Sequence, residues 1–394
     1  VAKLLRLSLP VEVGAVTLAS RYVDPLWIHA FPGLSAVFAA LPGARLVGGC
    51  VRDRIAGRAL TDIDLATSDP PERVMERLAE AGLRCIPTGL AHGTVTALSA
   101  GTGFEITTLR RDVETDGRHA TVAFTDDWRE DAARRDFTIN AMSMTVDGEV
   151  FDHFGGLEDL AAGRVRFVGD PAARIAEDYL RILRYFRFVA RYETQGGDAA
   201  ALAAIAAGVP GLARLSPERV WSELKRILAT PVADAALNLA ERTGVLGAIL
   251  PEARLRPVND LPADPLVRLA AMLSGMGNLA ERLRLSGAEA ERLAALFGPV
   301  PDEDASDDDL RRALAGHDTK TLLDRAWLAG RGAALRGRIS AMPVPVFPVQ
   351  GRDLIAAGQQ PGPGLGQELA RLRGVWLESG CLLSQCELVS LSRR

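Results

Sequence analysis

Hydrophobic and polar residues change rhythm near the middle of this chain. Between residue 27 and about 165, short apolar runs alternate with amphipathic stretches. Residues 44–47 and 63–66 read as short strands. A helical pattern runs from Pro70-Pro71-Glu72 to Ala81, with prolines at its start and Gly82 past its end. Two more strand-like runs, 93–99 and 104–109, are joined by the hairpin signal Ala100-Gly101-Thr102-Gly103. Residues 111–123 are polar and charged and predict an exposed mobile loop. The fold class that follows is α+β, with a head built on a mixed sheet. From Pro171 onward the strand signals fade. Ile175, Tyr179, Ile182, Phe186 and Val189 fall on one helical face, and helical patterns continue to about residue 335. In Leu215-Ser216-Pro217-Glu218 a Ser N-cap, a Pro at the first helical position and an acid in the first turn open a helix to Leu228. Residues 301–310 read as an acidic solvated loop, 342–366 as a Pro- and Gly-rich link, and 367–383 as a last helical piece.

Composition narrows this picture. The chain has 394 residues, enough for several structural units and a substantial core. No apolar run reaches the roughly eighteen residues that span a bilayer, so no membrane association is expected. Residues 4–18 are mildly apolar but interrupted by Pro10, Glu12 and Gly14, which argues against a signal peptide. Residues 1–25 are expected to be an N-terminal extension without assigned function. Cys50, Cys85, Cys381 and Cys386 are scattered and lie near no histidine pair, which suits neither zinc nor a disulfide framework and points to a reducing cytoplasm. A net charge of −4 excludes a general polyanion binder. Any nucleic-acid contact must come from a local basic face. The positive charge is almost entirely arginine, a residue suited to phosphates and base edges.

The chemistry begins at Thr61-Asp62-Ile63-Asp64-Leu65, shortly after Gly48-Gly49-Cys50-Val51-Arg52-Asp53. Two aspartates two apart on a strand face the same way, so both can reach a common point. A surface turn produces the same Asp-x-Asp spacing. The metal reading gains from Gly48-Gly49 and Arg52, placed between a strand and a helix where backbone donors meet a phosphate. Glu105 could supply a third carboxylate or be a sheet-edge acid. Arg134 and Arg135 end a charged helix directly before a predicted strand, as a triphosphate clamp or an exposed pair. Asp178, Arg181, Arg184 and Arg187 recur every three residues, either as a solvated basic face or as a nucleotide-reading one. An Asp beside an Arg presents an acceptor next to a donor fork, which matches the edges of cytosine and adenine and not those of uracil or guanine.

Five stretches together resemble the class II CCA-adding enzymes, tRNA nucleotidyltransferases of the polymerase β-like superfamily that also contains bacterial poly(A) polymerases. They are Gly48-Gly49-Cys50-Val51-Arg52-Asp53 with Asp62-Ile63-Asp64, Arg134-Arg135-Asp136-Phe137-Thr138-Ile139-Asn140-Ala141, Gly155-Gly156-Leu157-Glu158-Asp159-Leu160, Glu177-Asp178-Tyr179-Leu180-Arg181-Ile182-Leu183-Arg184, and Leu215-Ser216-Pro217-Glu218-Arg219-Val220. Val349-Gln350-Gly351-Arg352-Asp353-Leu354 resembles a segment of the family's tail. The resemblance implies that Asp62 and Asp64 hold two magnesium ions, with Glu105 as third acid. It implies nucleotide contacts from Gly48, Gly49, Arg52, Arg135, Asp136 and Asn140. Asp178 and Arg181 would pair with CTP or ATP as a protein template, with Arg184 and Arg187 as further contacts. His153 stands where the family more often has proline.

The implied organisation is a nucleotidyltransferase head at 26–168, a helical neck at 169–230, a helical body at 231–340 and a tail at 341–394. The implied reaction is ordered addition of C, C and A to the tRNA 3′ end, with no protein partner. Poly(A) synthesis or partial CC- or A-only addition uses the same residues, and a non-catalytic RNA-binding relative is the reading from another class. The charged loop at 111–123 favours full CCA addition over CC-only activity. His317-Asp318, the one His-Asp pair, has no upstream histidine in the body and reads as incidental.

Overall fold

A computed structural model describes residues 21–60, 62–115 and 120–392. The head carries helix α1 (Leu34–Ala40), strand β1 (Arg45–Val47), α2 (Gly49–Ile55), β2 (Asp64–Thr67), α3 (Pro71–Glu80), β3 (Arg84–Gly89), β4 (Thr94–Ser99) and β5 (Thr102–Thr108). A two-stranded ribbon of β6 (Arg110–Thr115) and β7 (Ala120–Phe124) follows, then α4 (Trp128–Ala133), β8 (Ser143–Met144), β9 (Val150–Phe151) and α5 (Gly156–Ala161). Seven strands form one mixed sheet in the order β3-β4-β5-β2-β1-β8-β9, with β2 and β5 parallel and the other pairs antiparallel. The α+β expectation holds. Alternate residues of β4 and β5, among them Val95, Ala97, Phe104 and Ile106, join Leu46, Leu65, Val51 and Leu78 in the head core. The β4–β5 hairpin is tighter than expected: Ser99 faces Thr102, and only Ala100 and Gly101, at φ 48° and 78°, make the turn. Two positive φ values match the twist of the flanking strands.

Several expectations change. The stretch 111–123 is not a loop in its described part but the arms of the β6–β7 ribbon, with Arg111 opposite Ala123. Val and Thr recur in both arms and favour extended backbone despite the surrounding charges; residues 116–119 lie outside the described set. Residues 1–20 of the expected extension also lie outside it. Residues 21–25 do not trail away, because Val23 is buried and its N–H donates to Gly148 O at 2.8 Å. The strand expected directly after Arg135 does not form. A 3-10 turn at Thr138–Asn140 takes its place.

Beyond the head, α6 (Pro171–Glu177), α7 (Leu180–Tyr192), α8 (Ala199–Gly208) and α9 (Pro217–Leu228) bear out the helical neck. The expected continuous helix after Pro171 is broken: Asp178 is extended, at φ −152° and ψ 108°. Contacts divide the chain into two units: one runs to Leu224 and includes Ala235–Pro251, and the other comprises Lys225–Asp234 and Glu252–Arg394. The head–neck boundary drawn at 168 therefore falls inside one compact unit. In the second unit, Arg268 is buried and donates to the carbonyls of Leu228 and Leu261, at 3.0 and 3.2 Å. Leu310, Leu322, Leu335 and Ile339 form one core there, and Val349, Leu354, Leu372, Trp376 and Leu388 another. Residues 342–366 are thus more than a link, and Gly351–Ala356 is helical. The acidic stretch also ends early, with a helix over Asp307–Gly316 capped by Ser306. No described helix is long and apolar enough to cross a membrane.

Candidate functional site

The carboxylates gather at one end of the parallel pair. Asp64 opens β2 and is the register partner of Glu105 on β5, so the two side chains leave the sheet on one face. Ile63 is buried in the head core, and Asp62 and Asp64 flank it on the opposite face. Asp64 is half-buried while Asp62 and Glu105 are exposed. Burial, followed by the charges of Glu105 and Asp62, pushes the Asp64 carboxyl up to about 6, opposed by the Arg135 guanidinium. That is a concentration of negative charge only partly neutralised by the protein. Hard carboxylate oxygens of this kind suit a divalent cation whose other ligands are phosphate and water. Among the described residues no three Asp, Glu, His or Cys side chains form a ready metal cage. The nearby Cys50 is not a ligand: its thiol donates to Val47 O at 3.3 Å, and burial raises its pKa to about 11.

The glycine turn and the arginines face each other. Gly48, at φ 69°, precedes α2, and a Cβ there would stand 2.8 Å from Arg135 Nη1. Only glycine lets the guanidinium approach the backbone so closely. Arg135 donates weakly to Asn140 O at 3.5 Å and to Asp131 Oδ2 at 3.2 Å. Arg52, expected to face the triphosphate, is turned inward and buried. It donates to both Asp53 oxygens, at 3.2 and 2.9 Å, and to Asn140 Oδ1, and it stacks over Phe188 and Tyr192. Gly49 starts α2 beside it. Asp136 is likewise enclosed. Its Oδ1 accepts from Phe137 N and Asn140 Nδ2, both at 2.9 Å, and its Oδ2 accepts from Arg184 Nε at 2.7 Å. Burial works against this carboxylate, yet Arg184 and Asn140 hold its pKa below the usual range.

The neck arginines do not form a solvated face. Arg184 is held on Asp136, Arg181 on Glu177 and on Arg174 O at 2.9 Å, and Arg187 on Glu223 at 3.3 Å. Asp178 occupies the break between α6 and α7. Its Oδ1 accepts from Leu180 N at 3.0 Å and its Oδ2 from Arg219 Nη2 at 2.8 Å. Head and neck are joined by rings: Phe137, from the arginine motif, lies 4.9 Å from Phe167 and 5.0 Å from Phe188 on α7. Each such ring buries on the order of 150–250 Å². The Gly155-Gly156 pair lets α5 approach the same motif, since a Cβ on Gly156 would meet Thr138 O at 2.3 Å. Asp159, fully buried, then accepts from Thr138 Oγ1 at 2.6 Å and from Arg166 Nε.

Sequence reasoning missed Asp131, Asp53, Tyr192, Glu177, Glu223 and Arg219 as partners of the expected residues. Asp53, Glu177 and Arg219 lay within the motifs above, and Asp131 and Glu177 stand one helical turn before Arg135 and Arg181, whereas Tyr192 and Glu223 carry no local spacing signal. Asp318 of the His-Asp pair caps the helix Thr319–Leu328 by accepting from Thr321 N at 2.9 Å.

Residues 44–166 match the family description "Poly A polymerase head domain", and residues 198–255 match "Probable RNA and SrmB- binding site of polymerase A". The chain is 36% identical over 411 residues to the Danio rerio protein named "CCA tRNA nucleotidyltransferase 1, mitochondrial", covering 95% of this chain and 92% of that one. It is 38% identical over 375 residues to the Homo sapiens protein of the same name, covering 89% and 86%. Among solved structures, the Bacillus stearothermophilus CCA-adding enzyme in complex with CTP superposes with a TM-score of 0.72 at 27% identity, over 87% of this chain and 91% of that one. Identity sustained over nearly the full length of such relatives, on the same mixed sheet and helical neck, places the chain in the family of CCA-adding tRNA nucleotidyltransferases.

Proposed function

We propose that this enzyme adds C, C and A in turn to the 3′ end of tRNA, from CTP and ATP, with release of pyrophosphate. The observation that carries the reading is the register of Asp64 with Glu105 beside Asp62, on a face that Arg135 also reaches. Asp62 and Asp64 would hold divalent ions, which we take to be two magnesium ions, and such ions would supply positive charge against the triphosphate and the attacking hydroxyl. Arg135 binds phosphate oxygens across the space that Gly48 leaves without a side chain. The tRNA 3′-hydroxyl gives up its proton to solvent, its oxygen bonds to the α-phosphorus as the bond to the bridging oxygen breaks, and pyrophosphate carries away the electron pair.

Base choice belongs to the neck. Asp178 accepts from the exocyclic amine of cytosine or adenine, and Arg181 donates to the neighbouring ring atom. Asp136 and Arg52, enclosed as they are, act through Arg184 and Asn140 rather than on the nucleotide directly. The four free thiols suit a reducing compartment, which we take to be the cytoplasm.

The test is incubation with tRNA lacking its 3′ end and each labelled nucleotide. Ordered addition of C, C and A followed by a stop supports the reading. A long A tail replaces it with poly(A) synthesis, and a product ending in CC replaces it with partial activity. An Asp62→Ala variant that still extends tRNA refutes the catalytic assignment.

A further inference from the structure

Asp131 lies on α4 between two parts of the head that the reaction scheme treats separately. On one side is the root of the β6–β7 ribbon, where the N–H of Arg110, the first residue of β6, donates to Asp131 Oδ1 at 3.3 Å. On the other side are the arginines. Arg134 reaches the same Oδ1 through Nε and Nη2, at 2.9 and 2.7 Å, and Arg135 Nη2 reaches Oδ2 at 3.2 Å. The carboxylate is only 3% exposed. A buried carboxylate is held in place by its donors, and its orientation follows from all of them together. The two oxygens belong to one rigid plane, so a displacement of the ribbon root turns the acceptor that Arg135 uses.

The opposite end of Arg135 is equally confined. Its Nη1 stands where a Gly48 side chain would be, and its charge acts on Asp64. A small rotation of the guanidinium therefore changes what the triphosphate meets. The ribbon root is also held by Leu109 N to Thr67 O at 2.8 Å, by Thr125 N to Leu109 O at 3.0 Å, by Thr125 Oγ1 to Glu130 Oε2 at 2.7 Å and by Arg110 Nη1 to His92 O. Asp131 bonds both the ribbon root and Arg135.

We infer that Asp131 is a positioning residue that couples the root of the β6–β7 ribbon to Arg135, so that ribbon placement and triphosphate binding are set together. The inference rests on the reading of Arg135 as a triphosphate contact. Its test compares wild type, Asp131→Asn and Arg135→Gln as full-length protein, by amide hydrogen exchange with and without CTP and magnesium and by steady-state kinetics. In wild type, CTP should slow exchange at the Arg110 amide and along the ribbon; in D131N that protection should vanish. The KM for CTP on tRNA lacking CCA, and for ATP on tRNA ending in CC, should rise about tenfold in D131N, the scale of a lost charge-assisted bond, with kcat changing less. Arg110→Pro deletes the N–H while keeping the carboxylate and both arginines. It should reproduce the KM increase, and it stands in if D131N does not fold. Undiminished protection in D131N, or an unchanged KM with only a lower melting temperature, overturns the coupling. A raised KM in R135Q alone also removes the coupling and leaves the function standing. An unchanged KM in R135Q overturns both.

Discussion

Arg219→Ala should blur the choice of base without unfolding the protein. Asp178 sits where the chain leaves one helix and enters the next, so no helical ladder fixes its direction. Its carboxylate plane is set instead by Leu180 N on one oxygen and Arg219 on the other. A buried charge-assisted bond contributes about 1.5–3 kcal/mol, whereas an exposed ion pair contributes about 0.2–1 kcal/mol. The Asp178 and Arg219 side chains are 23% and 31% exposed, between those limits. A loss of about 1 kcal/mol in positioning is the reasonable figure, equivalent to about fivefold. In single-turnover addition to tRNA lacking its 3′ end, the preference for CTP over UTP should therefore fall about fivefold in R219A. Arg219→Lys restores the charge without the fork and should recover part of it. An R219A variant as selective as wild type refutes the reasoning. One that binds CTP more tightly also refutes it, and assigns Arg219 the opposite role of occluding Asp178.

Asp64→Asn should abolish nucleotide addition yet stabilise the metal-free protein. The Asp64 carboxyl is raised from 3.8 to about 6, so folded wild type holds its proton more tightly than the unfolded chain and loses stability as pH rises through that window. The melting temperature of D64N in chelator should accordingly draw ahead of wild type between about pH 4 and pH 6 and stay ahead above it; parallel curves count against the charge cluster. Asp136→Asn leaves Arg184 without its counter-charge and should cost about 2–3 kcal/mol at neutral pH, read by urea unfolding. The Asp136 pKa is depressed, so that penalty should shrink only as pH falls below the ordinary carboxylate value of 3.8. Gly211→Ala places a Cβ 1.9 Å from the Tyr179 ring and should lower stability by about 1–3 kcal/mol and loosen selection at Asp178, next in sequence.

The strands of the head were legible where burial alternates or runs without interruption, as in β4, β5 and the short β1 and β2. β3 was missed because its residues are mostly exposed and carry no alternating apolar pattern. β8 and β9 have two residues each, too few for a period to register. The ribbon was read as a loop because charge dominated its composition, although its Val and Thr content favours pairing. In the neck, the apolar face from Ile175 to Val189 gave the correct buried side. It could not reveal the break at Asp178, since the residues on either side keep the helical spacing. What breaks the helix is tertiary: the Tyr179 ring seated on Gly211 and the bond from Arg219, both from more than thirty residues away.

A similar division holds at the site. The carboxylates we propose as catalytic were legible because Asp62 and Asp64 stand two residues apart, and sheet register then places Glu105 opposite Asp64. The arginines could be found by type and spacing, but not what each one faces. Arg52 and Arg184 have the composition of phosphate contacts, yet Asp53 and Asp136 claim their donors from the interior. An arginine's role depends on the nearest unsatisfied acceptor, and that acceptor comes from another element. Arg135 differs from those two in one respect: the glycine at 48, brought against it by the fold, leaves its Nη1 without a side chain in front of it. The absence of a Cβ across from an arginine, rather than the arginine itself, is what singles out this position for the phosphate contact we propose.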